Sequence, residues 1–208
     1  MQLVIEGLSK KYPKNKLFEN FSYTFESDNV YAITGENGSG KSTFMKIIAG
    51  VIPASKGTVS IFENKKKIDK DNIHQILGIT APYLELIEEF TLKEHLEFHS
   101  KFKKLLVGIN LDEEIERANL SKSINKNVQE FSSGMQQRLK LILSCCYSSE
   151  ILLLDEPTSH LDIKGIAWYK DLIKRTKQKR MLLIASNELD EYNDFAKKII
   201  NIGSYLIR

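Results

Sequence analysis

Apolar residues fall into two rhythms along this chain, and the change of rhythm divides it. In the first third they form short runs, at Leu3 to Leu8, Phe18 to Phe25, Val30 to Ile33 and Thr58 to Phe62. β-Branched and aromatic residues separated by polar breakers predict strands, and Ile76 to Ile79 adds another. Thr43 to Ala49 reads as a helix, with Gly50 as its stop. Apolar spacing then turns helical, with predicted helices over Leu92 to Lys104, Leu111 to Leu120 and Ser133 to Tyr147. Asp112, Glu113 and Glu114 suit the positive end of the second. Strand–helix alternation returns with a buried-type strand at Ile151 to Leu154, a helix over Ile166 to Lys177, a strand at Met181 to Ala185 and a short helix over Glu188 to Ala196. Ile199 to Ile202 predicts a last strand, and Gly203-Ser204 a hairpin turn before Tyr205-Leu206-Ile207. Buried strands joined by helices imply an α/β core, interrupted by a mostly helical insert near 88 to 149.

Composition narrows the class. A chain of 208 residues can bury a substantial core without disulfides. With 30 basic and 27 acidic residues the net charge is +3, too balanced to argue for nucleic acid. Lys65 to Lys67 and Lys177 to Arg180 are basic runs that read as solvated loops or helix ends. Cys145 and Cys146 are adjacent in an apolar helical stretch and read as core thiols of a reducing compartment. Neither a secretory leader nor a run of about 20 apolar residues is evident, so a membrane role calls for a partner.

The chemistry is concentrated in three motifs. Gly35-Glu36-Asn37-Gly38-Ser39-Gly40-Lys41-Ser42 fits the phosphate-binding loop, lying between a strand and the helix that opens at Thr43. Glycines let the backbone curl so that its N–H groups point at phosphate, and the positive helix end follows. Lys41 is placed for the β- and γ-phosphates and the Ser42 hydroxyl for Mg²⁺. Asp155 and Glu156 follow four apolar residues, so they emerge at the C-terminal end of a buried strand, where ligands bind in open α/β sheets. Asp155 is a candidate Mg²⁺ ligand and Glu156 a candidate base for the attacking water. Phe131-Ser132-Ser133-Gly134-Met135-Gln136-Gln137-Arg138 is a further helix start with small residues and free N–H groups, a second anion site.

With this third motif the chain resembles the ABC ATPase family, whose signature has the form Leu-Ser-Gly-Gly-Gln with Gln-Arg shortly after. Ser132, Gly134 and Gln137-Arg138 are kept, while Phe131, Ser133 and Met135 depart from it. The resemblance extends over nearly the whole chain. It implies a P-loop core with an antiparallel β subdomain, and one ATPase domain over 1–208. Tyr12 falls where an aromatic stacks on adenine, with an ordinary strand-end tyrosine as the alternative. Ser159 to Asp162 falls at the D-loop, which crosses a dimer interface. The resemblance further implies ATP and Mg²⁺ as cofactors, and a homodimer or a dimer with a related ATPase. Ser132, Ser133, Gly134 and Gln137 would then meet the ATP of the other subunit. A membrane permease would be the partner, with the ATPase peripheral on the cytoplasmic face.

Two positions break the family pattern. Pro82 stands where the Q-loop has glutamine, and it has no side-chain oxygen; Glu85 is a nearby substitute. Asn187 stands at the switch histidine, able to donate a hydrogen bond but not to become cationic. Both predict slow hydrolysis resting on Lys41, Mg²⁺ and Glu156. The Ser-Ser-Gly-Met spelling and short length resemble type-2 ABC exporters and the haem-exporter subunit of cytochrome c maturation. Two alternatives stay open: a soluble ABC ATPase acting on nucleic acid or ribosomes, and a slow-hydrolysing regulator. His74, His95 and His99 read as ordinary surface or core histidines, and Trp168 as helix packing.

Overall fold

The computed structural model describes residues 1–13 and 15–205. Two sheets organise them. β1 (Gln2–Tyr12), β2 (Asn15–Glu26), β4 (Lys56–Glu63) and β5 (Lys66–Lys67) form an antiparallel sheet in the order β2-β1-β4-β5. β3 (Val30–Thr34), β6 (Leu77–Thr80), β7 (Ile151–Asp155), β8 (Met181–Ala185) and β9 (Lys198–Asn201) form a parallel sheet in the order β6-β7-β8-β3-β9.

The continuous apolar runs of the parallel strands follow from burial on both faces, because successive side chains alternate sides. Tyr31, Ile33, Leu153 and Leu183 face the antiparallel sheet and α1 (Lys41–Ile48), sharing a core with Leu3, Ile5, Phe21, Phe25 and Phe44. Val30, Ala32, Leu152, Leu154, Leu182 and Ile184 face the opposite core. Its other side is built by α3 (Leu92–Ser100), α4 (Leu111–Arg117), α5 (Ser133–Cys145) and α6 (Ile163–Thr176). Two further helices, α2 (Ile73–Ile76) and α7 (Leu189–Tyr192), are single turns.

Most element types follow the sequence reading, and most differences lie in how elements end. β1 and β2 are longer than their apolar runs because the antiparallel ladder continues through register shifts to Tyr12 and Asn15. α3 stops at Ser100, short of Lys104. The chain there is drawn away, as Leu105 bridges Tyr147 and the Leu106 N–H donates to Cys146 O at 2.9 Å. α4 stops at Arg117. Asn119 adopts φ 57°, and the N–H groups of Asn119 and Leu120 close back on Glu116 O and Ile115 O, a left-handed cap that ends the helix. α5 ends at Cys145, and α6 starts three residues earlier than predicted because Asp162 caps it, accepting from the Gly165 N–H at 2.8 Å.

Three readings need correction. The helix predicted over Glu188 to Ala196 is one turn, Leu189–Tyr192, followed by a tight turn in which the Phe195 N–H donates to Tyr192 O. The hairpin at Gly203-Ser204 does not form among the described residues: Ile202–Tyr205 is a 3₁₀ turn, with Gly203 N–H bonded to Asn201 Oδ1 and Tyr205 packed edge-on against Phe21. Leu206 and Ile207 of the predicted strand lie outside the described residues. Arg180 is not solvated. It is 2% exposed, and its Nη2 donates to Cys145 O at 3.0 Å and Tyr147 O at 2.9 Å, joining the end of α5 to the start of β8. Cys145 and Cys146 are buried and free; burial pushes the Cys145 thiol up to about 11 and raises that of Cys146 as well. No described helix is long and apolar enough to cross a membrane.

Candidate nucleotide site

Parallel strands bring their C-terminal ends to one edge. The segments after β3, β6, β7 and β8 therefore share a site, although they lie far apart in sequence. After β3, Gly35 to Gly40 form the loop and α1 begins at Lys41. Gly35 has φ +147°, and a Cβ there would lie 2.6 Å from Ser39 Oγ, so no side chain fits the curl. Gly40 caps α1 with φ 100°, where a Cβ would press on Leu17 at 3.1 Å. Gly38 and Asn37 are exposed on the loop, Ser39 is buried with its Oγ unpartnered, and Ser42 and Thr43 open the helix half-buried.

Lys41 is buried, and its Nζ donates to Gly35 O at 2.7 Å and to Glu36 O at 3.4 Å. Burial lowers its pKa, while the charges of Glu156 and Asp155 oppose that. Asp155 ends β7 at 1% exposure with neither carboxylate oxygen hydrogen-bonded. Burial pushes its carboxyl up to about 6; the Ser42 hydroxyl opposes the shift, Glu156 adds to it and Lys41 opposes it. An unpaired buried carboxylate is costly, and a cation is its usual remedy. Among the described residues no three His, Cys, Asp or Glu side chains cluster for a metal. Asp155 and Ser42 fit Mg²⁺, which takes few protein oxygens and keeps waters or phosphate oxygens for the rest.

Glu156 is exposed at φ 46°, a conformation L side chains rarely adopt. Its N–H donates to Ala185 O at 2.9 Å, so β8 holds the turn in place. Backbone strain of this kind costs roughly 1–3 kcal/mol and gathers at functional sites. After β8, Asn187 reaches the loop, its Nδ2 donating to Asn37 Oδ1 at 2.9 Å. After β6, Pro82 is exposed. Glu85 faces Lys140 of α5. Tyr83, the residue after Pro82, has its hydroxyl pKa pushed up to about 12 by burial, and the Asp155 charge adds to that shift.

A second surface surrounds the start of α5. Ser132 Oγ accepts from the Met135 N–H at 3.3 Å and caps the helix, leaving Ser133 exposed and Gly134 half-buried beside it. Gly134 packs on the backbone of His160, where a Cβ would lie 3.0 Å from the carbonyl oxygen. Arg138 bonds Asp162 Oδ1 at 3.1 Å and Ala118 O at 2.9 Å, and lies over the Trp168 ring. Gln137 is turned inward, its Nε2 donating to Pro157 O at 2.7 Å. It ties α5 to the segment that follows Glu156. Tyr12 is on neither surface's inner shell; it is exposed at the end of β1 with Lys10 Nζ 5.0 Å from its ring.

Sequence reasoning missed Tyr83, Glu191 and Thr158. Glu191 is buried in α7, and one oxygen accepts both the Thr158 N–H at 2.7 Å and the Thr158 hydroxyl. Burial raises its pKa against those bonds. The segment carrying Asn187 is thereby fastened to the one carrying Glu156. No spacing rule announces that pair; Tyr83 was signalled only by its place beside Pro82.

The geometry defines a P-loop protein with a second, separate surface of small polar residues at the start of α5. Comparison with known proteins gives the family. Residues 18–159 match the ABC transporter family model, and the chain belongs to that family as an ATP-binding subunit. It is 31% identical over 186 residues to an uncharacterised ABC transporter ATP-binding protein, YybJ of Bacillus subtilis, covering 89% of this chain and 84% of that one. It is 32% identical over 200 residues to the lantibiotic transport ATP-binding protein SrtF of Streptococcus pyogenes, covering 93% and 83%. In structure it resembles the ATP-binding cassette MJ0796, described as a dimeric post-hydrolysis state bound to ADP and Pi. The TM-score is 0.80, with 23% identity over 96% of this chain and 93% of that one, a likeness of fold.

Proposed function

We propose that the chain is the ATP-hydrolysing motor of a membrane exporter, working as a dimer. The observation that carries the reading is Asp155, whose buried, unpartnered carboxylate stands beside Lys41 and Ser42 and next to Glu156. That constellation suits a Mg²⁺–triphosphate and no smaller anion as well. Bound Mg²⁺ would neutralise charge on the β- and γ-phosphates. Lys41 would leave its carbonyl partners for phosphate oxygen, and Glu156 would orient or deprotonate water. Positioning and charge stabilisation do most of the work in phosphoryl transfer.

Dimerisation is supported by the exposed surface of Ser132 and Ser133 and by the dimer described for MJ0796. In a head-to-tail dimer each ATP would touch Ser132 to Gly134 of the other copy, so ATP would favour closure by binding the closed state more tightly. The helical unit near 88 to 149 would face a permease. Phe98, Phe102 and Val107 support this, exposing 42%, 71% and 103% of their surface there. Export is supported by the lantibiotic transport relative. On this reading the chain works on the cytoplasmic face of the membrane.

Glu156→Gln tests the mechanism. Hydrolysis should fall by about 10²–10⁴, the usual contribution of a general base, and ATP should hold the variant as a dimer in size-exclusion light scattering. Wild-type-like hydrolysis by that variant would sink the role of Glu156. Co-purification with a polytopic membrane protein tests the partner.

A further inference from the structure

Tyr83 Oη and both carboxylate oxygens of Asp155 are buried without partners. Buried polar atoms in folded proteins almost always have partners, and an orphan marks a place for water or an ion. Tyr83 and Asp155 arrive from adjacent strands: β6 and β7 pair through Thr80 and Leu154, one residue short of Asp155 and three short of Tyr83. Burial raises the pKa of the Tyr83 hydroxyl, and the Asp155 charge adds to that.

The Tyr83 ring is held in place. Lys46 Nζ sits 3.8 Å from its centroid, a cation–π contact from α1. Lys46 is one turn beyond Ser42 on that helix, so the residue that anchors the ring belongs to the element that opens the phosphate loop. The ring is therefore held by the same helix that carries Ser42. Pro82, immediately before it, offers no side-chain oxygen.

We propose that the Tyr83 hydroxyl binds a water in the coordination shell of the divalent cation, filling the role that Pro82 cannot. Mg²⁺ usually keeps several waters, so a hydroxyl set back from the metal can hold one without displacing Asp155. A phenol both donates and accepts, so it can hold such a water from either side. The inference rests on the reading of Asp155 and Ser42 as the cation site. It adds that this chain retains an oxygen-bearing side chain after β6, moved one position along and changed in kind.

The test is Tyr83→Phe, which removes one oxygen and keeps the ring over Lys46. Mn²⁺ serves as the probe, titrated into full-length protein with ATP and followed by electron paramagnetic resonance of free Mn²⁺. Tyr83→Phe should weaken Mn²⁺ in the ATP complex by about 3- to 10-fold, the scale of one hydrogen bond, while ATP affinity in EDTA and the melting temperature stay unchanged. Pro82→Gln added to Tyr83→Phe should restore Mn²⁺ affinity, which a purely structural tyrosine would not allow. Equal Mn²⁺ affinity in wild type and Tyr83→Phe overturns the inference, as does a loss that Pro82→Gln does not repair. If wild type binds no ATP at all, the reading of the nucleotide site fails instead, so the two failures are distinct.

Discussion

The Asn187 side-chain amide donates to Asn37 Oδ1 at 2.9 Å, joining the segment after β8 to the phosphate loop across 150 positions of sequence. Neutral amides make this contact, and we propose that Asn187 holds the place of the family's switch histidine. An amide can bond a γ-phosphate but cannot bring positive charge to it. Asn187→His should therefore raise ATP turnover by about tenfold, equal to about 1.4 kcal/mol of barrier. Steady-state phosphate release from the two proteins measures it. Equal rates would count against placing Asn187 at the switch.

Gly35 carries the strictest steric demand in the loop. At φ +147°, a methyl group on its Cα would be strained and would lie 2.6 Å from Ser39 Oγ, so Gly35→Ala must displace Ser39 or shift the curl. Strain of about 1–3 kcal/mol corresponds to roughly 5- to 150-fold in ATP affinity. Fluorescent-nucleotide titration should show a loss in that range. An unchanged affinity would mean the loop does not hold the phosphates.

Glu191 has a test that separates hydrogen bonding from packing. Glu191→Ala leaves the Thr158 N–H and hydroxyl without their acceptor, and a buried unsatisfied donor costs about 1–3 kcal/mol. Glu191→Gln keeps an acceptor oxygen and should lose less. Urea unfolding of both variants decides it: identical losses would assign the effect to packing alone.

His99 supplies a pH dependence. Burial, with Lys103 and His95 nearby, pushes its pKa down from 6.5 to about 4, and its ring packs edge-on against Tyr147. Between pH 6.5 and 4 the unfolded chain takes up a proton that the folded chain refuses. This group therefore leaves stability unchanged above pH 6.5 and subtracts from it as pH falls toward 4. The imidazole proton resonances should titrate near pH 4, and His99→Phe should flatten the acid limb of the stability profile. A midpoint close to the ordinary histidine value would contradict the half-buried, desolvated placement of the ring.

Much of this was legible in the chain because the signals are local. The loop from Gly35 to Ser42 is contiguous, so its glycines, lysine and serine declare their chemistry by spacing alone. Ile151 to Leu154 announces a buried strand, and Asp155 must then fall at its end. Helix ends were less legible. α3 stops at Ser100 because Leu105 and Leu106 pair with Tyr147 and Cys146, partners distant in sequence. Arg180 sits in a basic run, and only the fold shows that two carbonyls at the end of α5 hold it in the interior.

The sequence by itself determined the alternation of strands and helices, the phosphate loop, and the carboxylate pair, since each depends on neighbours within a few residues. Tertiary structure decided which distant side chains meet at the edge of the parallel sheet. Strand order β6-β7-β8-β3-β9 brings Tyr83, Asp155, Asn187 and Lys41 to one edge. It also turns Gln137 inward to Pro157 and fastens Glu191 to Thr158. Those pairings depend on crossover and register, which no local pattern encodes, and they set a buried, unpartnered carboxylate beside the phosphate loop.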